Sequence, residues 1–594
     1  MRWRSSIARA GASPVSACFR LQNSWERTGP RCIGCRATMA EESGPASLVG
    51  RRARWGSVAA HTRSAAELCK RLLDGWRQRG PLAWLPLLAS FFALRALLAR
   101  AGAELGFYDE GLLFTGAQLL RQGFTVYTDF HFCYPPGILQ IVRAVMALDL
   151  PPIWTVRLLA VVVRIGSAVA VGYLVGRSQD KRFCLWAFAI VLILQERLHV
   201  VLYAYPIALM LALLAILLWP MPGAPRWRGI VCGISFGCIS YIRHDLFTYA
   251  VGSLAVAEGL WWALKRESLL MESARRLTDF ALALVGTGLA LWLPVFIQSG
   301  ISRPLHDIVI DLATRIMPGR KLPVPSLLEG IRVEPLNLKL PAVLVELERF
   351  SLVLGIAAVS ASILAILIGA TRELRAGDVA RKAALRTLLL TGAFALATVP
   401  QALRRFDTFH VTFGLPLTVA ALFVAAGPRV REPLFLLAIM TWFASPPPFI
   451  DWAGAKRLWR QRADEHFVPP ERLAIARYVE RKIKPGEPFF SACYTHRRTM
   501  ASNLDLYYLA RRPAATKYII FDPGTTNSVE GQSEMIADLE RTRPKIVLRG
   551  PGCVWYEPNE SLNEGATLLD EYLDQHYALD RNVGAWAVWR PRKR

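Results

Sequence analysis

The chain has 594 residues, of which 53% are hydrophobic and 20% charged, with a formal net charge of +25 and a mean hydropathy of +0.29. Soluble domains carry about 25% charged residues. Here the apolar residues collect in blocks of roughly 15–23, near the ~20 that a helix needs to cross a bilayer. That pattern argues against a soluble enzyme. The Arg and Lys residues sit in the loops between apolar blocks, as on the cytoplasmic side of membrane proteins, which disfavours nucleic acid as a partner and suits anionic headgroups and lipid phosphates.

Residues 1–80 are rich in Arg, Ser, Ala and Gly, and Glu26 is the only acidic residue before Met39. They read as a disordered basic extension. Its composition resembles a transit peptide, with Met39 as an alternative start.

Eleven spans are expected after it, near 82–100, 154–176, 183–197, 202–219, 228–242, 246–264, 278–298, 350–370, 387–402, 411–427 and 432–448. The block 137–148 is a twelfth apolar stretch, with Arg143 in its middle. At 1.5 Å per residue it reaches only ~18 Å, so an interfacial helix is expected there. Leaving it out, with the N-terminus inside, makes 177–182, 220–228, 265–276, 371–386 and 428–431 cytoplasmic, and nearly all are basic. The outer face then holds 101–153, the Arg243–His244–Asp245 turn, the Pro-rich loop 299–349 (a lid or a passive connector) and the segment Arg404–His410.

From residue 451 the composition becomes that of a soluble domain. Helices are expected at 470–483, 529–541 and 565–577, and strands at 487–493, 517–521, 545–549 and 584–590. The fold class is thus membrane all-α with a small C-terminal α/β domain on the outer side of a plasma membrane, the bacterial inner membrane being the expected home. Cys493 and Cys553 could pair on that side; Cys32 and Cys35 form a lone CxxC, too little for zinc.

The first outer loop reads Phe107-Tyr108-Asp109-Glu110-Gly111, a helix to Gln122, then Gly123-Phe-Thr-Val-Tyr127-Thr-Asp129-Phe130-His131-Phe-Cys-Tyr134-Pro-Pro-Gly137. Adjacent carboxylates at a membrane face are costly unless solvated or paired, which marks Asp109 and Glu110 as functional candidates. A helix N-terminus would also hold them without any function.

An acidic pair after the first span, a Gly-x-x-x-Tyr-x-Asp-Phe stretch and a Tyr-Pro-Pro-Gly turn together resemble the GT-C superfamily of glycosyltransferases. Within it they resemble the family 39-like group of protein O-mannosyltransferases and bacterial lipid A-modifying enzymes. The resemblance extends loosely over 80–450, and its specific part is 107–137. It implies a multispan enzyme that takes a sugar from a polyprenyl-phosphate donor and passes it to a lipid, glycan or protein hydroxyl. It further implies Asp109 as general base, with Glu110 positioning acceptor or base. The late-loop residues Arg405, Asp407 and His410 match an Arg, Asp, His arrangement of the family. With Arg404, Arg243 and His244 they are candidates for the donor phosphate, and Asp129, His131 and Tyr134 for holding substrate. Asp129 and His131 alone do not make a metal site, so no metal is assigned and a divalent cation is left open. The rival reading is a multispan transporter or lipid flippase, against which stand mostly clean spans and the lack of an internal repeat.

Overall fold

The computed structural model describes residues 84–179, 181–196, 201–219, 224–265, 270–319, 360–370, 372, 379–404, 408–444, 464–497, 502–524, 526–551 and 565–593. All belong to the unit Gly80–Arg594. The basic extension 1–80 falls outside them.

Each expected apolar segment contains a helix. In chain order these are α1 (Leu85–Arg100), α2 (Asp109–Arg121), α3 (Gly137–Met146), α4 (Pro152–Ser178), α5 (Cys184–Glu196), α6 (Ala204–Leu218), α7 (Trp227–Ile242), α8 (His244–Lys265) and α9 (Leu270–Ser299). After them come α10 (Ser360–Ala370), α11 (Val379–Ala397), α12 (Thr408–Ala426) and α13 (Arg431–Ala444). Among the described residues, two helical stretches are long and apolar enough to cross a membrane, Pro152–Ser178 and Ala274–Ser299. Others are short. The 13 residues of α5 reach only ~20 Å at 1.5 Å each.

The surface of these helices explains the composition. Leu282, Leu289 and Ile297 on α9 are 68%, 58% and 75% exposed, and Phe91 on α1 and Val162 on α4 are 58% and 60% exposed. Apolar patches of this kind on a soluble monomer are rare.

The C-terminal part folds as a mixed four-stranded sheet with helices. Its helices are α14 (Pro470–Lys482), α15 (Asp505–Ala510), α16 (Val529–Thr542) and α17 (Leu568–His576); its strands are β1 (Phe490–Cys493), β2 (Val547–Gly550), β3 (Tyr577–Val583) and β4 (Trp586–Pro591). The sheet order is β1-β2-β4-β3. The β1–β2 pair is parallel and the other two pairs antiparallel. The strand expected at 517–521 does not form. Its backbone is claimed by side chains instead: Lys517 N donates to Asp538 and the Ser502 hydroxyl to the Ile519 carbonyl. The strand 577–583 was not expected. Cys493 is disulfide-bonded, and Cys553 lies outside the described residues.

This domain clamps α2. The backbone N–H groups of Leu504 and Asp505 donate to the Phe107 carbonyl, at 3.1 and 3.3 Å. Thr115 Oγ1 donates to the Leu504 carbonyl and Gln118 Nε2 to the Tyr507 carbonyl. Residues 110–120 are all buried. Gly111 is where the two surfaces touch: a Cβ there would stand 2.6 Å from Asp505 N, a backbone atom that cannot swing away. Gly111→Ala is therefore expected to cost about 1–3 kcal/mol, read as a lower Tm of the detergent-purified chain. At Gly137 a Cβ would lie 2.4 Å from the Tyr241 carbonyl oxygen, so the Pro-Pro-Gly turn ends in the one side chain that lets α3 reach α7.

Candidate functional site

Asp109 and Glu110 occupy the first turn of α2, where the helix dipole favours negative charge. Adjacent residues on a helix point about 100° apart, and their surroundings diverge accordingly. Glu110 is 1% exposed. Arg157 of α4 grips it bidentately, Nε to Oε1 and Nη2 to Oε2, both at 2.7 Å. The Gly106 N–H also donates to Oε2 at 3.0 Å. The same guanidinium donates to the carbonyls of Ala101, Ala103 and Glu104 and lies over the Phe467 ring. This buried fork ties the start of the first loop to α4 and occupies both oxygens of Glu110.

Asp109 is exposed. Its Oδ2 accepts a hydrogen bond of 2.9 Å from the Tyr203 hydroxyl, which fixes the carboxylate's orientation and leaves its face open. Tyr203 begins a run of aromatic contacts. Its ring meets Phe413 edge-on, Phe413 stacks on Tyr205 at 4.5 Å, and His410 packs against Phe413 at 6.0 Å. The first loop and the start of α12 thus approach one another through Tyr203 and Phe413. The side chain of Arg404, and Arg405 and Asp407 entirely, lie outside the described residues.

Arg243 and His244 sit where α7 gives way to α8. Arg243 pairs with Asp245 through two hydrogen bonds, 2.7 and 2.9 Å, and its guanidinium covers the Tyr134 ring at 4.7 Å. A donor phosphate would have to share this arginine with Asp245. Tyr134 is thereby joined to the Arg243 turn, while Asp129 is not. Asp129 Oδ2 accepts from Thr125 N at 2.6 Å and serves the turn it belongs to.

That turn holds Tyr127 at φ 67, a conformation costly for a bulky side chain. Its hydroxyl donates to the Tyr134 carbonyl. Burial, with the Asp307 carboxylate nearby, pushes its phenol well above the ordinary tyrosine range. His131 has partners other than those of Asp129. It is 6% exposed, its backbone N–H donates to the Lys517 carbonyl, and its Nδ1 lies 3.1 Å from Asp307 Oδ2. Among the described residues, His131, Asp307 and Asp311 form the one group that could hold a metal ion.

Tyr203, Arg157, Asp307 and Asp311 were not singled out from sequence. The first two sit in apolar blocks with no local motif. The last two carried a signal, since Asp307, Asp311 and Arg315 recur every four residues at the start of the Pro-rich loop.

No family model matches the chain, and no curated protein sequence matches it. Among solved structures it is similar to ArnT from Cupriavidus metallidurans bound to undecaprenyl phosphate, with 12% identity and a TM-score of 0.43 over 86% of this chain and 98% of that one. It is also similar to the Archaeoglobus fulgidus oligosaccharyltransferase tethered to an acceptor peptide, with 12% identity and a TM-score of 0.39 over 86% of this chain and 74% of the other. These structural neighbours are GT-C proteins. At such identity and score the likeness transfers no residue roles, and the chemistry has to come from the site itself.

Proposed function

We propose that this chain is a membrane-embedded glycosyltransferase that moves a sugar from a polyprenyl-phosphate donor to a hydroxyl of a lipid, glycan or protein by direct, inverting displacement. The observation that carries the reading is the split between two neighbouring carboxylates: Glu110 is buried and forked by Arg157, whereas Asp109 is exposed and oriented by Tyr203. One oriented, accessible base is what such a displacement needs. The acceptor oxygen attacks the anomeric carbon as Asp109 takes its proton, and the bond to the phosphate oxygen breaks, with its electron pair leaving on the phosphate. A polyprenyl monophosphate is already a good leaving group, so no general acid is required of the chain. Cations near the leaving phosphate stabilise its charge. Arg404, Arg405, His410, Arg243 and His244 are the candidates.

The membrane setting is supported by the exposed leucine and isoleucine face of α9, which hydrocarbon would cover at no cost. The disulfide of Cys493 supports an oxidising compartment for the C-terminal domain. The donor class rests on the resemblance carried by 107–137. A direct test compares lipid-linked sugars and surface glycans in cells with and without the chain. The expected result is accumulated polyprenyl-phosphate sugar and a glycan or lipid lacking one residue. Normal glycans with altered solute uptake would overturn the proposal in favour of a transporter.

A further inference from the structure

After α9 the chain makes a short helix, Ser302–Leu305, and then an unusual one: His306–Ile316 winds as a π-helix. π-Helical turns are uncommon and concentrate at functional sites. This segment sits where three parts of the chain meet. Arg303 bonds Thr128 of the first loop, and Arg315 pairs with Glu530 of the C-terminal domain at 2.7 Å. Between them lies a cavity of about 150 Å³ whose lining includes His131, Asp307 and Asp311.

The charges around the cavity do not balance. Four carboxylates line it, Asp307, Asp311, Glu530 and Glu534, against two permanent cations, Arg315 and Lys517. Arg315 is drawn to Glu530, and Lys517 reaches Glu534 at 2.5 Å. Against the push of burial, Lys517 and the Tyr518 hydroxyl hold the Glu534 carboxyl below the usual range. Both glutamates are thus neutralised. Asp307 and Asp311 keep only the imidazoles of His131 and His306, the latter 3.5 Å away from each, and the Arg315 Nε, 3.6 Å from Asp311 Oδ1 and beyond hydrogen-bond reach. Asp311 is nevertheless 2% exposed. Its Oδ1 and the Nε2 of His131 are buried and make no hydrogen bond among the described residues. A buried carboxylate paired this loosely is costly.

We propose that His131, Asp307 and Asp311 bind a divalent transition-metal ion, zinc in the first instance, which fastens the first outer loop to the π-helical segment beneath the C-terminal domain. One ligand atom from each residue lies within 4.8 Å of the others. Tetrahedral ligands ~2.1 Å from zinc stand ~3.4 Å apart, so small side-chain rotations close the set. One imidazole and two carboxylates suit zinc or manganese better than the all-oxygen shell of calcium or magnesium, and water completes the coordination. A doubly positive ion offsets the carboxylate charge left over by Arg315, which Asp311 and Glu530 share. This site is independent of the transferase reading, because it concerns how the loop is held and not the step at Asp109.

The test uses the full chain purified in detergent, stripped with a chelator, equilibrated with zinc or manganese and passed through a desalting column. Metal content and Tm are then read. The expected result is about one ion per chain and a higher Tm with the ion than without it. His131→Gln, Asp307→Asn and Asp311→Asn should each lower occupancy by at least about tenfold. Asp311→Asn should change the Tm of the stripped protein little, because Arg315 keeps Glu530 as a partner, while abolishing the response to zinc. That signature distinguishes a metal site from a variant that merely folds badly. Failure of the unsubstituted chain to retain either ion, or equal retention by all three variants, would overturn the proposal.

Discussion

Asp109→Asn is expected to lower sugar transfer by roughly 10²–10⁴-fold, the range that a positioned general base contributes, with unchanged membrane abundance and Tm. The size of the effect follows from the isolation of this group. Its neighbour Glu110 is 1% exposed and forked by Arg157, so it cannot take over the proton. The fold should tolerate the change because Asp109 is exposed and the Tyr203 hydroxyl can still donate to the amide oxygen. Transfer measured in vesicles with a lipid-linked donor gives the rate, and the purified yield gives the control. Tyr203→Phe should fall in between: losing a hydrogen bond to a charged group is worth about 1.5–3 kcal/mol, which would lower kcat roughly tenfold or more with little change in acceptor KM. Wild-type turnover by Asp109→Asn would remove the base from this site altogether.

The parts of the molecule legible in the sequence were those decided locally. Blocks of apolar residues became helices because nothing nearby competes with the helix, and 137–148 became the ten-residue helix α3 because it is short and one-sided. The placing of Asp109 and Glu110 on the first turn of a helix is likewise a local matter. What separates their roles is not local. Arg157 is 47 positions from Glu110, within an apolar block that carries no local motif. Tyr203 reaches Asp109 across 94 positions. The strand expected at 517–521 rested on Tyr518, Ile519, Ile520 and Phe521, residues that favour strands in general. Their backbone was instead taken by Ser502 and Asp538, from distant segments. Conversely, β3 was hidden by Asp580, Arg581 and Asn582, which are polar because that stretch is exposed. The Asp307, Asp311 and Arg315 series was readable at its four-residue spacing, but the prolines further along the loop drew the reading toward a lid or a passive connector.

Arg157→Met, on α4 where it anchors the first loop, is expected to be strongly destabilising. The side chains of Arg157 and Glu110 are 3% and 2% exposed, so solvent screens the pair little. Removing the cation strands a carboxylate in the interior, a loss of about 3–5 kcal/mol for buried pairs. The carbonyls of Ala101, Ala103 and Glu104 lose their donor in the same step. The variant should show a sharply lower Tm and faster proteolysis within 101–109, with transfer lost because Asp109 is no longer held. Glu110→Gln alone should be milder, since the amide oxygen can still accept from Arg157. Combining the two changes is the informative case. A neutral pair removes the stranded charge, so the double variant should be more stable than Arg157→Met, and its ΔΔG less the sum of the two single-variant values measures the coupling between the side chains. If Glu110 acts only by holding the loop, transfer should return in step with stability. Recovered stability without recovered transfer would instead give Glu110 a part in the reaction beside Asp109, and the bidentate fork would then be the device that sets its charge.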